Sequence, residues 1–189
     1  MQQWSSPSAT PPQLRPCVAT FGNFDGVHRG HRAILDELVR QGRERNLPAV
    51  AVTFDPHPVE VMHPERAPEI ISPGPLRDEL LAEAGVDGLC VLPFTMDFAQ
   101  TSAVDYVVIE DQGETERWSS SAVRAHLSAG EVAAAAAILG RTHRVVGTVV
   151  HGFHRGRELG YPTANLGDDS LGLVPSDGVY AGWLTRLDL

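Results

Sequence analysis

The chain has 189 residues, room for one medium domain or for a domain with a small second one, and its 42% hydrophobic and 21% charged content is that of an ordinary globular protein. Lys and Arg number 15 against 24 Asp and Glu, a formal charge of −9, which argues against a broad nucleic-acid surface because phosphate backbones demand clustered positive charge. No apolar run approaches the length of a membrane span, and the opening MQQWSSPSATPPQLRP lacks the basic start and apolar core of a secretory signal. Residues 1–16 therefore read as a polar, proline-rich arm. The expectation is a cytoplasmic protein with neither a membrane nor a nucleic-acid partner; the sequence leaves the oligomeric state open. Cys17 and Cys90 each lie in an apolar run, where a small buried thiol is expected rather than a disulfide.

CVATFG (17–22) and AVAVTF (49–54) are short, β-branched runs bounded by Gly or Pro and read as buried strands. Between them HRAILDELVRQGRERN places Ile34, Leu35, Leu38 and Val39 on one helical face and stops before Pro48. PLRDELLAEAG repeats the helical spacing with Leu76, Leu80 and Leu81, ends at Gly85, and is followed by GLCVLPF, a third strand. The order predicts a βαβαβ unit, hence a parallel sheet with crossover helices, in an α/β domain over 17–140. Past Pro93 the pattern thins to a short helix, a strand around YVVIED, a polar turn and a helix starting near Ser120. An alanine-rich helix ends at Gly140, and 141–189 reads as an all-β segment.

The chemistry concentrates in FGNFDGVHRGH (21–31), directly after the first strand. Its glycines permit a tight backbone, and the following helix opens near Gly30 or His31 at the carboxyl end of a parallel strand. Unpaired amides and the helix dipole make that the favoured place for a phosphate. His28 and His31, three residues apart, lie on the same side of the entrance and can donate to phosphate oxygens. A zinc site is the alternative for two histidines, but no third and fourth ligand stand at suitable spacing.

GNFDGVHRGH resembles the G-x-F-D-x-x-H-x-G-H signature of the nucleotidyltransferase superfamily, and WSSSAVR resembles its second signature, with Ser121 in the threonine position. TFDPHPVEVM resembles the flavin-side segment of the bacterial bifunctional riboflavin kinase/FAD synthetases. GRELGYPTANL with PSDGVYAGWL resembles the riboflavin kinase module of the same enzymes. The resemblance runs from about Cys17 to the C-terminus. It implies a Rossmann-like nucleotidyltransferase sheet followed by an all-β riboflavin kinase barrel, with ATP, Mg2+, FMN, FAD and riboflavin as substrates, products or cofactors. It further implies catalytic roles for His28, His31 and Arg124, and ATP contacts from Gly22, Asn23, Phe24, Asp25, Gly30, Ser120 and Ser121. Asp55, Pro56, His57 and Pro58 would line the flavin. Gly156, Arg157 and Gly160 would hold the kinase nucleotide, and Thr163 with Asn165 the magnesium and phosphates.

The chain also departs from the pattern. Only 26 positions separate Pro93 from Ser119, where the family has several further elements and an Asn-Phe-x-Phe-Gly-like motif that occurs nowhere here. A βα crossover takes a dozen residues or more, so an internal block is expected to be missing after about Val107. The family's barrel continues past the equivalent of Leu189 with the glutamate base, so the kinase module (141–189) is expected to be partial. His154 stands where the family's kinases have a glycine. The expected activity is AMP transfer from ATP to FMN, with weak or absent turnover and no kinase reaction. The alternative is a nucleotide- or flavin-binding remnant without turnover. Phosphopantetheine or nicotinamide mononucleotide as acceptor fits DPHP and PTAN less well.

Overall fold

The computed structural model describes residues 1–100, 118–152, 160 and 163–186. Its centre is a parallel sheet of four strands, β1 (Gln2–Trp4), β2 (Val18–Phe21), β3 (Ala49–Asp55) and β4 (Gly88–Pro93), in the order β1-β4-β3-β2. The crossovers are α1 (Arg29–Arg45) between β2 and β3, and α2 (Pro58–Met62) with α3 (Gly74–Glu83) between β3 and β4. α4 (Met96–Ala99) follows β4; α5 (Ser120–Ser128) and α6 (Val132–Leu139) pack on each other. The expected βαβαβ unit is present, with Val18 opposite Ala49 and Val50 opposite Gly88 in parallel register.

β3 is buried along its first five residues, as a central parallel strand covered on both faces must be. Ala49 and Ala51 face Leu35 and Leu38 of α1 and Leu76, Leu80 and Leu81 of α3, while Val50 and Val52 pack with Cys90, Leu92 and the ring of Trp4 on the other face. Ile34, expected on the buried face of α1, is instead 42% exposed: it lies at the flank of a stripe already filled by Leu35 and Leu38. Both cysteines are free thiols, and burial raises the pKa of each.

Residues 1–16 are more than an arm. Gln2–Trp4 adds a strand alongside Gly88–Cys90, the Trp4 ring lies over Gly88, and Leu14 is buried in the core. A three-residue strand with two glutamines carries no periodicity; the packing of Trp4 and Leu14 makes it. A second small cluster joins Ile71 to Val123, Leu127, Ala135, Leu139 and Leu173. Through it α5, α6 and the C-terminal segment pack against residues 70–73. In that segment the described residues show one antiparallel ladder, β5 (Val149–Val150) with β6 (Asn165–Leu166), and a bridge between Val146 and Leu171. The YVVIED stretch lies outside the described residues.

Candidate nucleotide site

At the carboxyl ends of β2 and β3 the chain builds a loop whose conformation it does not adopt by default. Phe24 (φ 51°), Gly26 (φ 85°) and Val27 (φ 38°) all have left-handed backbone, which costs a non-glycine residue of order 1–3 kcal/mol. The loop persists because the surroundings over-determine it. Phe24 and Val27 are each only 1% exposed, plugged into the main core. Asp25 is buried, and its carboxylate accepts hydrogen bonds from the amides of Ile71 (3.0 and 3.1 Å) and Ser72 (2.8 Å) and from Arg124 Nη2 (2.5 Å). Ser120 Oγ donates to the Asp25 carbonyl at 2.7 Å, and Arg124 Nε to the Glu69 carbonyl at 2.7 Å. The two motifs that stand a hundred positions apart in the sequence are thus tied to one another, with residues 69–72 between them.

The loop delivers His28 as the N-cap of α1: its Nδ1 accepts the His31 amide at 3.3 Å. The first turn of α1 carries no acidic residue. Since Nδ1 accepts, the neutral ring carries its proton on Nε2, a donor. The two rings stack at 3.7 Å and 19°, with Phe24 edge-on to His31 at 5.3 Å. Burial depresses the His28 pKa to about 4, against a smaller opposing pull from Asp25. Burial, with the neighbouring His28, depresses that of His31 to about 3. At neutral pH both are uncharged imidazoles. Gly30 makes the stack possible, because a Cβ there would stand 3.2 Å from the His28 ring. Arg29, next in the turn, lies over the Trp118 ring at 5.8 Å.

Beside this mouth, at the end of β3, Asp55 and Pro56 are exposed while His57 and Pro58 are half-buried at the start of α2. His57 Nδ1 accepts the Val59 amide (3.2 Å), and its Nε2 lies 3.0 Å from Asn23 Nδ2. Thr53 Oγ1 donates to the Asn23 carbonyl at 3.2 Å. The sequence-predicted residues Gly22, Asn23, Phe24, Asp25, His28, Gly30, His31, Ser120, Arg124 and His57 are therefore gathered at one end of the sheet. Phe24, Asp25 and Ser120 spend their side chains on holding the loop, and Ser121 is exposed.

Sequence reading missed three features. Phe54, Phe94 and Phe98 form a trio of rings 5.5–5.9 Å apart at the ends of β3 and β4. Trp118 precedes the serine run and meets Arg29. Arg141, just past α6, donates to the Gly26 carbonyl at 2.9 Å. Only the aromatic residues at strand ends were visible as a signal. Of the kinase residues, Gly160 sits in an exposed turn, Thr163 and Asn165 are exposed at β6, and Gly156 and Arg157 lie outside the described residues, as does His154. Among the described residues no group of three His, Cys, Asp or Glu could hold a metal ion. No described helix is long and apolar enough to cross a membrane.

A parallel sheet, a left-handed glycine-bearing loop and a helix N-terminus fronted by two imidazoles define an α/β nucleotide-binding domain. The FAD synthetase family matches residues 10–113, more than half of the chain, and the riboflavin kinase family residues 139–188. The bifunctional riboflavin kinase/FMN adenylyltransferase of Escherichia coli K12 is 34% identical over 212 residues, covering 87% of this chain and 67% of that protein. Those of Pseudomonas fluorescens (33%, covering 89% and 68%) and Bacillus subtilis (29%, covering 87% and 66%) are similar too. A crystal structure described as a macrolide-efflux protein from Streptococcus pneumoniae superposes with a TM-score of 0.73 at 28% identity, covering 87% of this chain and 69% of that one. The chain belongs to the bifunctional riboflavin kinase/FMN adenylyltransferase family. The 212 aligned positions exceed its own 189 residues.

Proposed function

We propose that this chain transfers AMP from ATP to FMN, giving FAD and pyrophosphate. The observation that carries the reading is the stacked, neutral His28–His31 pair at the mouth of α1, beside the Asn23–His57 contact. A phosphate oxygen of FMN attacks the α-phosphorus of ATP in line, the bond to the bridging oxygen breaks, and pyrophosphate departs. No covalent protein intermediate is required. The protein's part is to position the two substrates and to stabilise charge as it moves onto the leaving phosphates.

His28, His31 and the amides of the first turn of α1 donate to the phosphates, with the backbone of Gly22, Asn23 and Phe24 beside them. Arg124 adds positive charge while it anchors Asp25, and Ser120 and Ser121 lie at the start of α5. Asp55, Pro56, His57 and Pro58 line the flavin side, where the Phe54, Phe94 and Phe98 rings, tilted 55–82° to one another, offer aromatic surface to the isoalloxazine. The second half is read as a riboflavin kinase segment, with Gly156, Arg157 and Gly160 toward the nucleotide. The Thr163 hydroxyl and Asn165 carboxamide are oxygen donors of the kind magnesium takes, and the Asn165 carboxamide packs so closely on Gly152 that a Cβ there would collide with it. Magnesium, when bound, neutralises phosphate charge. We further infer an internal block missing after about 107, which the length of the alignment to relatives supports. The domain boundaries would then be 1–16, 17–140 and 141–189, with β1 contributed to the sheet by the first.

Incubation of the purified chain with ATP, magnesium and FMN, with FAD read by chromatography, tests the assignment. His28→Ala is expected to lower the rate by about a hundredfold, as loss of one preorganised donor does; equal rates would remove His28 from the mechanism. Binding of both substrates without FAD would instead select a remnant that no longer turns over. Riboflavin in place of FMN tests the kinase half, for which the exposed Thr163 and Asn165 support little or no turnover.

A further inference from the structure

We propose that Arg141 is a positioning residue for the nucleotide phosphates, reaching from the segment after α6 to set the turn that places His28. The inference rests on the nucleotide site proposed above. Its Nη2 donates to the Gly26 carbonyl at 2.9 Å and approaches the Ser72 hydroxyl at 3.4 Å. Gly26 is the middle of the three left-handed residues, so the turn depends on bonds from outside it. Asp25 is held from residues 71–72, Arg124 and Ser120; the carbonyl of Gly26 is held from Arg141. His28 follows two residues later, so a displaced turn moves a phosphate donor at the mouth of α1 and weakens its hold on the nucleotide.

Packing puts the guanidinium there. Leu139, the last residue of α6, is 3% exposed, and its Cδ2 would be 3.3 Å from a Cβ at Gly26, so the end of the helix rests on the turn two residues before Arg141. Nη1 of Arg141 is buried with no hydrogen-bond partner, and among the described residues no carboxylate forms an ion pair with it. Nearby Arg32 and Arg144 are instead paired, with Glu83 and Glu79. A buried cation with no ion-pair partner among the described residues, and with one nitrogen unpaired, is thereby held against the turn that leads into the α1 N-terminus. A charge kept only for stability would be cheaper paired; one kept beside a triphosphate contributes to the field that receives it. The start of the segment that matches the riboflavin kinase family thus shapes the nucleotide loop of the segment that matches the FAD synthetase family.

The test compares wild type with Arg141→Met and Arg141→Lys. ATP binding in the presence of magnesium is measured by calorimetry without FMN, then the KM values for ATP and FMN and kcat in FAD formation. Arg141→Met is expected to bind ATP about tenfold more weakly and to raise the KM for ATP by the same factor, with the KM for FMN unchanged. Arg141→Lys, which restores the charge and one donor, is expected to recover most of the loss. A merely structural role would lower the number of competent sites and kcat while leaving the dissociation constant and both KM values alone. That result, or an equal rise in both KM values, overturns the proposal. Should Arg141→Met not fold, Arg141→Gln, a neutral donor for the Gly26 carbonyl, is expected to give intermediate ATP affinity, and wild-type affinity would overturn the proposal. ATP binding by wild type without FAD formation sinks the AMP-transfer reading alone; equal ATP affinity in wild type and Arg141→Met sinks Arg141 alone.

Discussion

The first motif and the PTAN stretch are comparably specific as words in the sequence, yet the structure treats them differently. Around Asp25 the motif is tied to other segments: two amides from residues 71–72, a hydroxyl from Ser120, guanidinium groups from Arg124 and Arg141. Around Thr163 and Asn165 the described chain offers a two-rung ladder, with both residues exposed. Beyond it Val174, Val179, Trp183 and Leu184 are exposed as well, Trp183 to 94%. Leu173 is the exception, buried against α5 and α6. A motif becomes a site when distant parts of the chain fix its backbone, and that holds here for the first motif far more than for the second.

The strongest way to break the contrast is Asp25→Ala. It leaves two buried amides without an acceptor and Arg124 without its counter-ion, and removing one partner of a buried pair costs about 3–5 kcal/mol. Urea unfolding should show that loss, and FAD formation should vanish with it. A loss below about 1 kcal/mol would mean that the loop is held by its own residues rather than by their partners.

Local patterning explains how far the sequence could be read. The strands at 18–21, 49–55 and 88–93 and the helices between them follow from apolar spacing and from Gly and Pro boundaries, which are local signals. The paired histidines at a helix mouth were legible for the same reason. Asp25 was not: its motif position suggests a ligand contact, while its carboxylate is consumed by partners 46, 47 and 99 residues away, and no local pattern reports pairing at such separations. Arg141 was hidden likewise, since an arginine after a helix C-cap looks like surface charge until Leu139 brings it to Gly26. Gln2–Trp4 was hidden because its burial comes from one tryptophan lying over Gly88.

A pH series sharpens the contrast at moderate effect. The folded chain keeps His28 and His31 neutral down to about pH 4 and 3, whereas the unfolded chain protonates them near 6.5. Between those values the unfolded state binds more protons, so stability is full above about 6.5 and falls as pH drops toward 4. Over pH 6–8 neither group titrates in the free protein, and kcat/KM for ATP should show no step from them. A fall in kcat/KM centred near pH 6.5 that disappears in His28→Asn would make the pair a working cation instead. Asn keeps the helix cap, so such a result could not be blamed on a lost α1 N-terminus.

The smallest effect is expected at the other pole. Trp183→Ser removes the largest side chain of the C-terminal segment, but one 94% exposed has almost no apolar area withdrawn from water in the described chain. Surface changes of that kind stay within about 0.5 kcal/mol, and urea unfolding together with the rate of FAD formation should leave wild type and variant indistinguishable. A loss of 2 kcal/mol or more would mean that Trp183 is covered in solution, and that the second segment is held as firmly as the first. Since burial of an aromatic ring is worth that much by itself, the one substitution separates a packed C-terminal half from an unpacked one without reference to either activity.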